Sequence, residues 1–159
     1  MNIHRLVPDN WKRLREIRLA ALRDSPDAFG STLADTIARD EANWREQIAT
    51  LATFIAVVNG CDIGMVRGGP HEIDPATAYL LSMWVAPDHR HRGYGDLLIQ
   101  AVIGWAKAAG YGQLVLDVAD DNQPAVALYT RLGFEPTGET GTLPAPRTHV
   151  REHRRALAF

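Results

Sequence analysis

The chain has 159 residues, 46% of them hydrophobic and 23% charged, with a formal net charge of −2. That length can bury a substantial core, so residues 1–159 read as one domain, and the balanced charge argues against a nucleic-acid or membrane partner. No apolar run is long enough to span a bilayer, the N-terminus lacks the apolar core of a signal peptide, and a single cysteine, Cys61, leaves no internal disulfide; together these read as a cytoplasmic protein.

In chain order, NIHRLV reads as a short first strand. Asp9 is the expected N-cap of a first helix, in which Trp11, Leu14, Arg18, Ala21 and Leu22 recur at helical spacing. The turn-rich SPDAFG should end it. A second helix is expected over much of 33–50, with Trp44, Ile48 and Leu51 on its buried side. The period then changes. TFIAVV, IGMVRG and AYLLSMWV are rich in β-branched and apolar residues, and Asn-Gly, Gly-Gly-Pro and Asp-Pro separate them from their neighbours. They read as three consecutive antiparallel strands. A long helix over about 93–109 follows, ended by Gly110, then a strand at QLVLDV and a short helix at PAVALYTRLG with Gly133 past its end. FEPTGET and the tail from about 148 to 158 suit a closing hairpin. The order implies a mixed sheet flanked by helices, an α/β (α+β) architecture.

RHRGYG, residues 90–95, concentrates positive charge and glycine where the long helix begins. Glycine lets backbone approach a ligand closely, and a helix start offers unpaired N–H groups with partial positive charge, which together suit a phosphate. The plainer alternative is a solvated basic turn. Neither of two well-known phosphate loops fits: Gly95 is followed by Asp96 and Leu97 rather than Lys and Ser or Thr, and Leu98 stands where a dinucleotide fingerprint has Gly or Ala.

SMWVAPDHRHRGYG, a helix, and then LVLDVADDNQPAVALYTRLGF resembles the GNAT superfamily of N-acetyltransferases. Arg90, Gly93 and Gly95 match the family's Gln/Arg-x-x-Gly-x-Gly/Ala loop. Asn122, Ala125, Leu128, Tyr129, Gly133 and Phe134 match its second signature. The close likeness covers about residues 80–134. It implies a mostly antiparallel mixed sheet with a splay between the fourth and fifth main strands. It also implies acetyl-CoA as co-substrate, an amine-bearing acceptor and no metal. In the family the loop binds the CoA pyrophosphate, so His91, Arg92, Gly93, Tyr94 and Gly95 would supply amides beside Arg90. Met83 and Val85 would pair their backbones with the pantetheine arm. Asn122 would hold that arm, cap the short helix, or do both. Homodimers are common in the family, and no stretch here demonstrates one.

Acetyl transfer to an amine sets chemical demands. The ammonium must lose a proton, the thioester oxygen needs a donor, and the departing sulfur needs a proton or a strong hydrogen bond. A strand N–H near Val85 is the family-like donor to the oxygen. Tyr129 is the family-like donor to the sulfur, against a packing role beside Leu128. An unperturbed tyrosine has a pKa of ~10 and a thiol ~8.5, so full transfer to a free thiolate is uphill by roughly 2 kcal/mol. A hydrogen bond to the developing thiolate avoids that cost. The base is open. The fourth strand, TAYLLSMWV, carries no carboxylate, whereas Asp117 in LVLDVAD matches a glutamate that some family members use. Asp117 is then either the base, acting directly or through water that Ser82 and Tyr79 help orient, or a structural aspartate.

The tail holds a competing pattern. HVREH, residues 149–153, matches a His-x-x-Glu-His zinc motif that works on a helix. As a strand it would instead show His149, Arg151 and His153 on one side. The readings to weigh are therefore an amine acetyltransferase, a catalytically silent CoA-binding module on the same fold, and a metal-dependent hydrolase.

Overall fold

The computed structural model describes residues 2–159. The strands are β1 (Asn2–Arg5), β2 (Ala52–Val58), β3 (Cys61–Pro70), β4 (Thr77–Val85), β5 (Gln113–Ala119), β6 (Glu135–Thr142) and β7 (Arg151–Ala158). They form one seven-stranded sheet in the order β1-β2-β3-β4-β5-β7-β6. Every neighbouring pair is antiparallel except β4–β5, which is parallel. The helices are α1 (Trp11–Asp24), α2 (Leu33–Ile37), α3 (Glu41–Thr50), α4 (Tyr94–Ala108) and α5 (Gln123–Arg131). The expected α/β class, the antiparallel run of strands and the closing hairpin are all present.

Each face of the sheet carries a core. On one side α4 buries Leu98, Ile99, Val102, Ile103 and Ala106 against Val66, Leu80, Leu114 and Leu116. On the other, α1 and α3 bury Leu14, Ile17, Leu22, Trp44 and Ile48 against Ile55, Met65 and Trp84. The helical spacing of Leu14, Arg18, Ala21 and Leu22 marks the buried stripe of α1, and it takes an arginine inside with it.

Two local expectations are corrected. Asp9 does not cap α1. It lies in a 3-10 turn, Pro8–Asn10, and Asn10 takes the N-cap position. The Asp9 carboxylate pairs with Arg45 at 2.7 Å instead. The helix expected over 33–50 is two helices. Thr32 accepts from the Asp35 N–H at 3.2 Å and Asp40 from the Asn43 N–H at 2.8 Å, so two capped starts interrupt one apolar stripe.

The feature that positions the site is the parting of β4 from β5. They pair only at Thr77↔Gln113, Ala78↔Leu114 and Tyr79↔Val115. Beyond Tyr79 a bulge turns β4: Leu81 and Trp84 oppose Arg67 and Met65, so β4 has one residue more than β3 over this stretch. Ser82 takes the left-handed region there, with φ of 57°. The bulge swaps the faces of the strand. Ala78 and Leu80 join the α4 core, while Trp84 joins the α1 core.

Candidate active site

The wedge between the diverging strands is a cleft of about 750 Å³. Residues 80–85 of β4 form one wall and residues 116–119 of β5 the other, with the 89–96 loop at one end and α5 along the side. The Ala86 N–H donates to Ile63 O on β3 at 2.8 Å. By the alternation of a strand, the N–H and C=O of Val85 therefore turn to the edge that β5 has left, and Met83 shares that edge. The Val85 carbonyl accepts from Arg90 Nε at 2.9 Å.

The 90–95 loop is shaped by two left-handed residues, His91 at φ of 60° and Gly93 at φ of 85°. Among the described residues, no acceptor engages the backbone N–H groups of residues 91–96. The loop and the first turn of α4 thus leave successive backbone donors without an acceptor at the positive end of a helix dipole. That is what a pyrophosphate would need from the chain. Gly95 has a different reason to be small: a Cβ there would lie 3.2 Å from Leu128 Cδ2 and from Met83 Cε, where α4, α5 and β4 converge. His91 and Arg92 are exposed and Tyr94 is half-buried.

Arg90 is engaged elsewhere. Besides Val85 O, its guanidinium reaches Asp24 Oδ2 at 2.5 Å. The same oxygen accepts from Ser25 Oγ at 2.6 Å and from Trp84 Nε1 at 3.0 Å. Asp24 therefore ties the end of α1, the bulged strand and the loop together. Hydrogen bonds from Ser25 and Trp84, then Arg90, hold its carboxyl below the usual carboxylate range. A folded-state pKa below the unfolded one adds stability above the ordinary carboxylate range, and that stability is lost as pH falls through the folded value. Asp24→Asn should therefore cost about 1 kcal/mol at neutral pH, read as a lower urea midpoint. The gap to the wild type should close on acidification; a gap of equal size at low pH would locate the effect outside the carboxylate.

Tyr129 projects from α5 into the cleft and is 6% exposed. Its ring meets Phe134 edge-on at 5.8 Å, and its hydroxyl makes no hydrogen bond within the described chain. Burial pushes its phenol above the ordinary value, so it stays a donor across the physiological range. Asn122 caps α5, accepting from the Ala125 N–H at 3.3 Å, and also lines the cleft.

Asp117 lines the cleft from β5 and is not a lone carboxylate. Arg154 on β7 holds it with Nε at 3.0 Å and Nη2 at 3.3 Å. The same guanidinium donates to Glu139 at 3.0 Å and to the Tyr79 hydroxyl. Pairing of Asp117 with Arg154 and of Ala119 with Glu152 puts these side chains on one sheet face. Glu152, which the sequence reading passed over, is half-buried in no ion pair within 4.0 Å among the described residues. Burial, then the charge of Asp117, raises its pKa. It lines a smaller pocket of about 140 Å³ that Asp117 also lines.

HVREH does not form the helix its zinc pattern requires. Residues 151–158 are β7, so Glu152 and His153 point to opposite faces, and His149 lies in the turn before the strand. His153 Nδ1 contacts Asp120 at 2.8 Å. His149 therefore does not line up with Arg151 and His153 as an all-strand tail would have had it.

A splayed β4–β5 pair, amides without an acceptor at the start of the following helix and a tyrosine on the next helix together outline one cleft. The profile of the Acetyltransferase (GNAT) family matches residues 11–134, and the chain belongs to that family. Mycothiol acetyltransferase of Rhodococcus jostii strain RHA1 is 28% identical over 138 residues, covering 85% of this chain and 45% of that protein. Streptothricin acetyltransferase of Streptomyces lavendulae is 30% identical over 109 residues, covering 69% and 54%. The chain spans about half the length or less of these curated relatives. Among solved structures, a GNAT-family acetyltransferase from Streptococcus pneumoniae superposes with a TM-score of 0.83 at 20% identity, covering 99% of this chain and 98% of that one. The yncA protein of Salmonella typhimurium, solved with its cofactor acetyl-CoA, superposes with a TM-score of 0.77 at 21% identity, covering 99% and 93%. At these identities the structures establish the shared fold.

Proposed function

We propose that the protein transfers an acetyl group from acetyl-CoA to a primary amine of a small molecule or a protein N-terminus, by direct attack in a ternary complex. The observation that carries this reading is the cleft itself, with free amides of residues 91–96 at one end and the Tyr129 hydroxyl on its wall. Acetyl-CoA supplies the acetyl group as a thioester open to attack by an unprotonated amine. The loop amides bind the pyrophosphate, and the edge of β4 at Met83 and Val85, open except at the Val85 carbonyl that Arg90 engages, receives the pantetheine arm. Asn122 shapes the slot while capping α5. An N–H near Val85 faces the carbonyl oxygen, where negative charge develops during attack. Tyr129 donates a hydrogen bond to the leaving sulfur. Its raised pKa makes full proton transfer costlier still, so stabilisation by the hydrogen bond is its contribution.

Asp117 accepts the proton from the acceptor ammonium, and Arg154 fixes its orientation. Asp117→Asn should lower kcat/KM by ~10- to 100-fold near neutral pH and less at high pH, where free amine is abundant. A uniform loss across pH would mark Asp117 as structural. Glu152→Gln is the companion variant: a neutral-pH defect there, with Asp117→Asn near wild type, would move the base to β7. The overall reading is tested by release of free CoA from acetyl-CoA across an amine panel. Binding of acetyl-CoA with no turnover on any amine would favour a silent CoA-binding module.

A further inference from the structure

Three guanidiniums lie inside the protein without a carboxylate: Arg155 on β7, 6% exposed and bonded to Phe134 O and Thr130 Oγ1 beside α5, and two more under the other face of the sheet. Arg18 on α1 is 3% exposed and Arg67 on β3 is 4% exposed. Among the described residues, the arginine ion pairs within 4.0 Å involve Arg13, Arg45, Arg90, Arg131 and Arg154, and none of the three buried arginines. Arg67 has only neutral acceptors. Its Nη1 reaches Gln47 Oε1 at 2.7 Å, and its Nε and Nη2 reach Ser82 Oγ at 3.1 and 2.8 Å. Arg18 has less. Its Nε and Nη1 are buried with no acceptor, and its guanidinium stacks on Phe29 at 4.6 Å.

Both groups feel other cations. Burial, then the charge of Arg39, lowers the Arg18 pKa to about 10. Burial, then Arg18 and Arg39, lowers Arg67 to about 9. Each is therefore still charged at neutral pH. Buried charges are ordinarily paired, because desolvation without a counter-ion is costly. Here that cost is borne twice, in neighbouring positions, with like charge added.

Their place gives the cost a use. Ser82, the bulge residue that Arg67 holds, lines the cleft, as do Ser25 and Ala28, the latter next to Phe29. Because Ser82 Oγ accepts from Arg67, its own hydrogen is available to donate toward the cleft. The carboxylates Asp117, Glu139 and Glu152 lie on the far side of β4, on β5, β6 and β7. Arg67 and Asp117 stand on strands either side of β4, and because β5 has already parted from β4 at Asp117 the cleft separates them. The acceptor side of the cleft is thus positive toward α1 and β3 and negative toward β5 and β7.

We propose that the acceptor is a small amine that carries a carboxylate, received at the Ser82 hydroxyl in the positive field of the buried Arg67 and Arg18 behind it, with its amine directed toward Asp117. The proposal rests on the acetyl-transfer reading above and specifies its substrate class. A carboxylate accepts a charge-assisted hydrogen bond from a hydroxyl, and the unpaired guanidiniums behind Ser82 favour an anion there.

The test offers each protein amino acid beside its own α-carboxamide, with acetyl-CoA, and follows free CoA. The carboxamide removes only the charge, and its less basic amine is the more easily deprotonated, so any preference for the acid runs against intrinsic reactivity. We expect at least one acid to exceed its amide by ~10-fold or more in kcat/KM, the scale of a charge-assisted hydrogen bond. Arg67→Met and, separately, Arg18→Met should reduce that ratio toward one. Arg18→Met should also leave Tm unchanged or raised, since it removes an uncompensated buried charge. Amides used as well as acids throughout, no acid acetylated by protein that binds acetyl-CoA, or an acid preference that survives both variants overturns the carboxylate site. Calorimetry on the same protein separates the other failure: no binding of acetyl-CoA overturns the acetyl-transfer reading itself.

Discussion

Replacing Tyr129 by phenylalanine is expected to slow the acetyl-transfer step by about 10- to 1,000-fold, the range for losing one well-placed donor or acid. The structure makes this a narrow substitution. The ring keeps its edge-on contact with Phe134, and the lost hydroxyl has no hydrogen-bond partner in the described chain. Stability and acetyl-CoA affinity should therefore change little. Single-turnover transfer is the measurement, because slow product release would hide a chemical defect in steady-state rates. The pH profile adds a second readout. With its pKa raised above the ordinary value by burial, the phenol keeps its proton where free tyrosine would ionise, so it should impose no alkaline fall in rate near pH ~10. A wild-type chemical step in the Phe variant would reduce Tyr129 to packing and leave the sulfur to water.

What could be read from the chain, and what could not, divides by sequence distance. The loop at residues 90–95 was legible because its chemistry is local: left-handed turns, glycine and a helix start all fall within one short stretch. The strands around the Asn59–Gly60 turn were legible for the same reason, since both residues take positive φ in a tight hairpin. Asp117 was visible by alternation, but its partner Arg154 is 37 residues away and comes into register only through β7. Glu152 sat inside a zinc-like pattern that drew attention to its flanking histidines. Arg18 appeared in the apolar stripe of α1, which was a signal in itself: a charge on a buried face asks for a partner. Arg67 gave less warning inside IGMVRG, because only the pairing of β3 with β4 reveals that it braces the bulge. Nothing local marks Ser82 for a left-handed conformation; it is held there by contacts from β3.

Gly93→Val is expected to weaken CoA binding by at least ~10-fold, a loss of about 1.4 kcal/mol. Space is not the reason, since a Cβ at this position would meet nothing within 4 Å. Conformation is. Gly93 holds φ of 85°, a region that a β-branched residue resists, and it is the N-cap of α4. To relieve the strain the loop must turn differently, and turning it re-aims the amides of residues 91–96 that have no acceptor within the described chain. The defect should stay local, because α4 is anchored by Leu98, Ile99 and Val102, all buried, one or two turns further on. Gly104→Ala provides the control within the same helix: it also has open space, but no positive φ, so it should retain wild-type affinity and strengthen the helix by up to ~1 kcal/mol. Calorimetric titration of CoA into the three proteins separates the cases. Equal affinity in Gly93→Val and wild type would mean that the amides of residues 91–96 are not where the phosphates bind. A loss shared by Gly104→Ala would mean that α4 as a whole, rather than the turn at its start, governs binding.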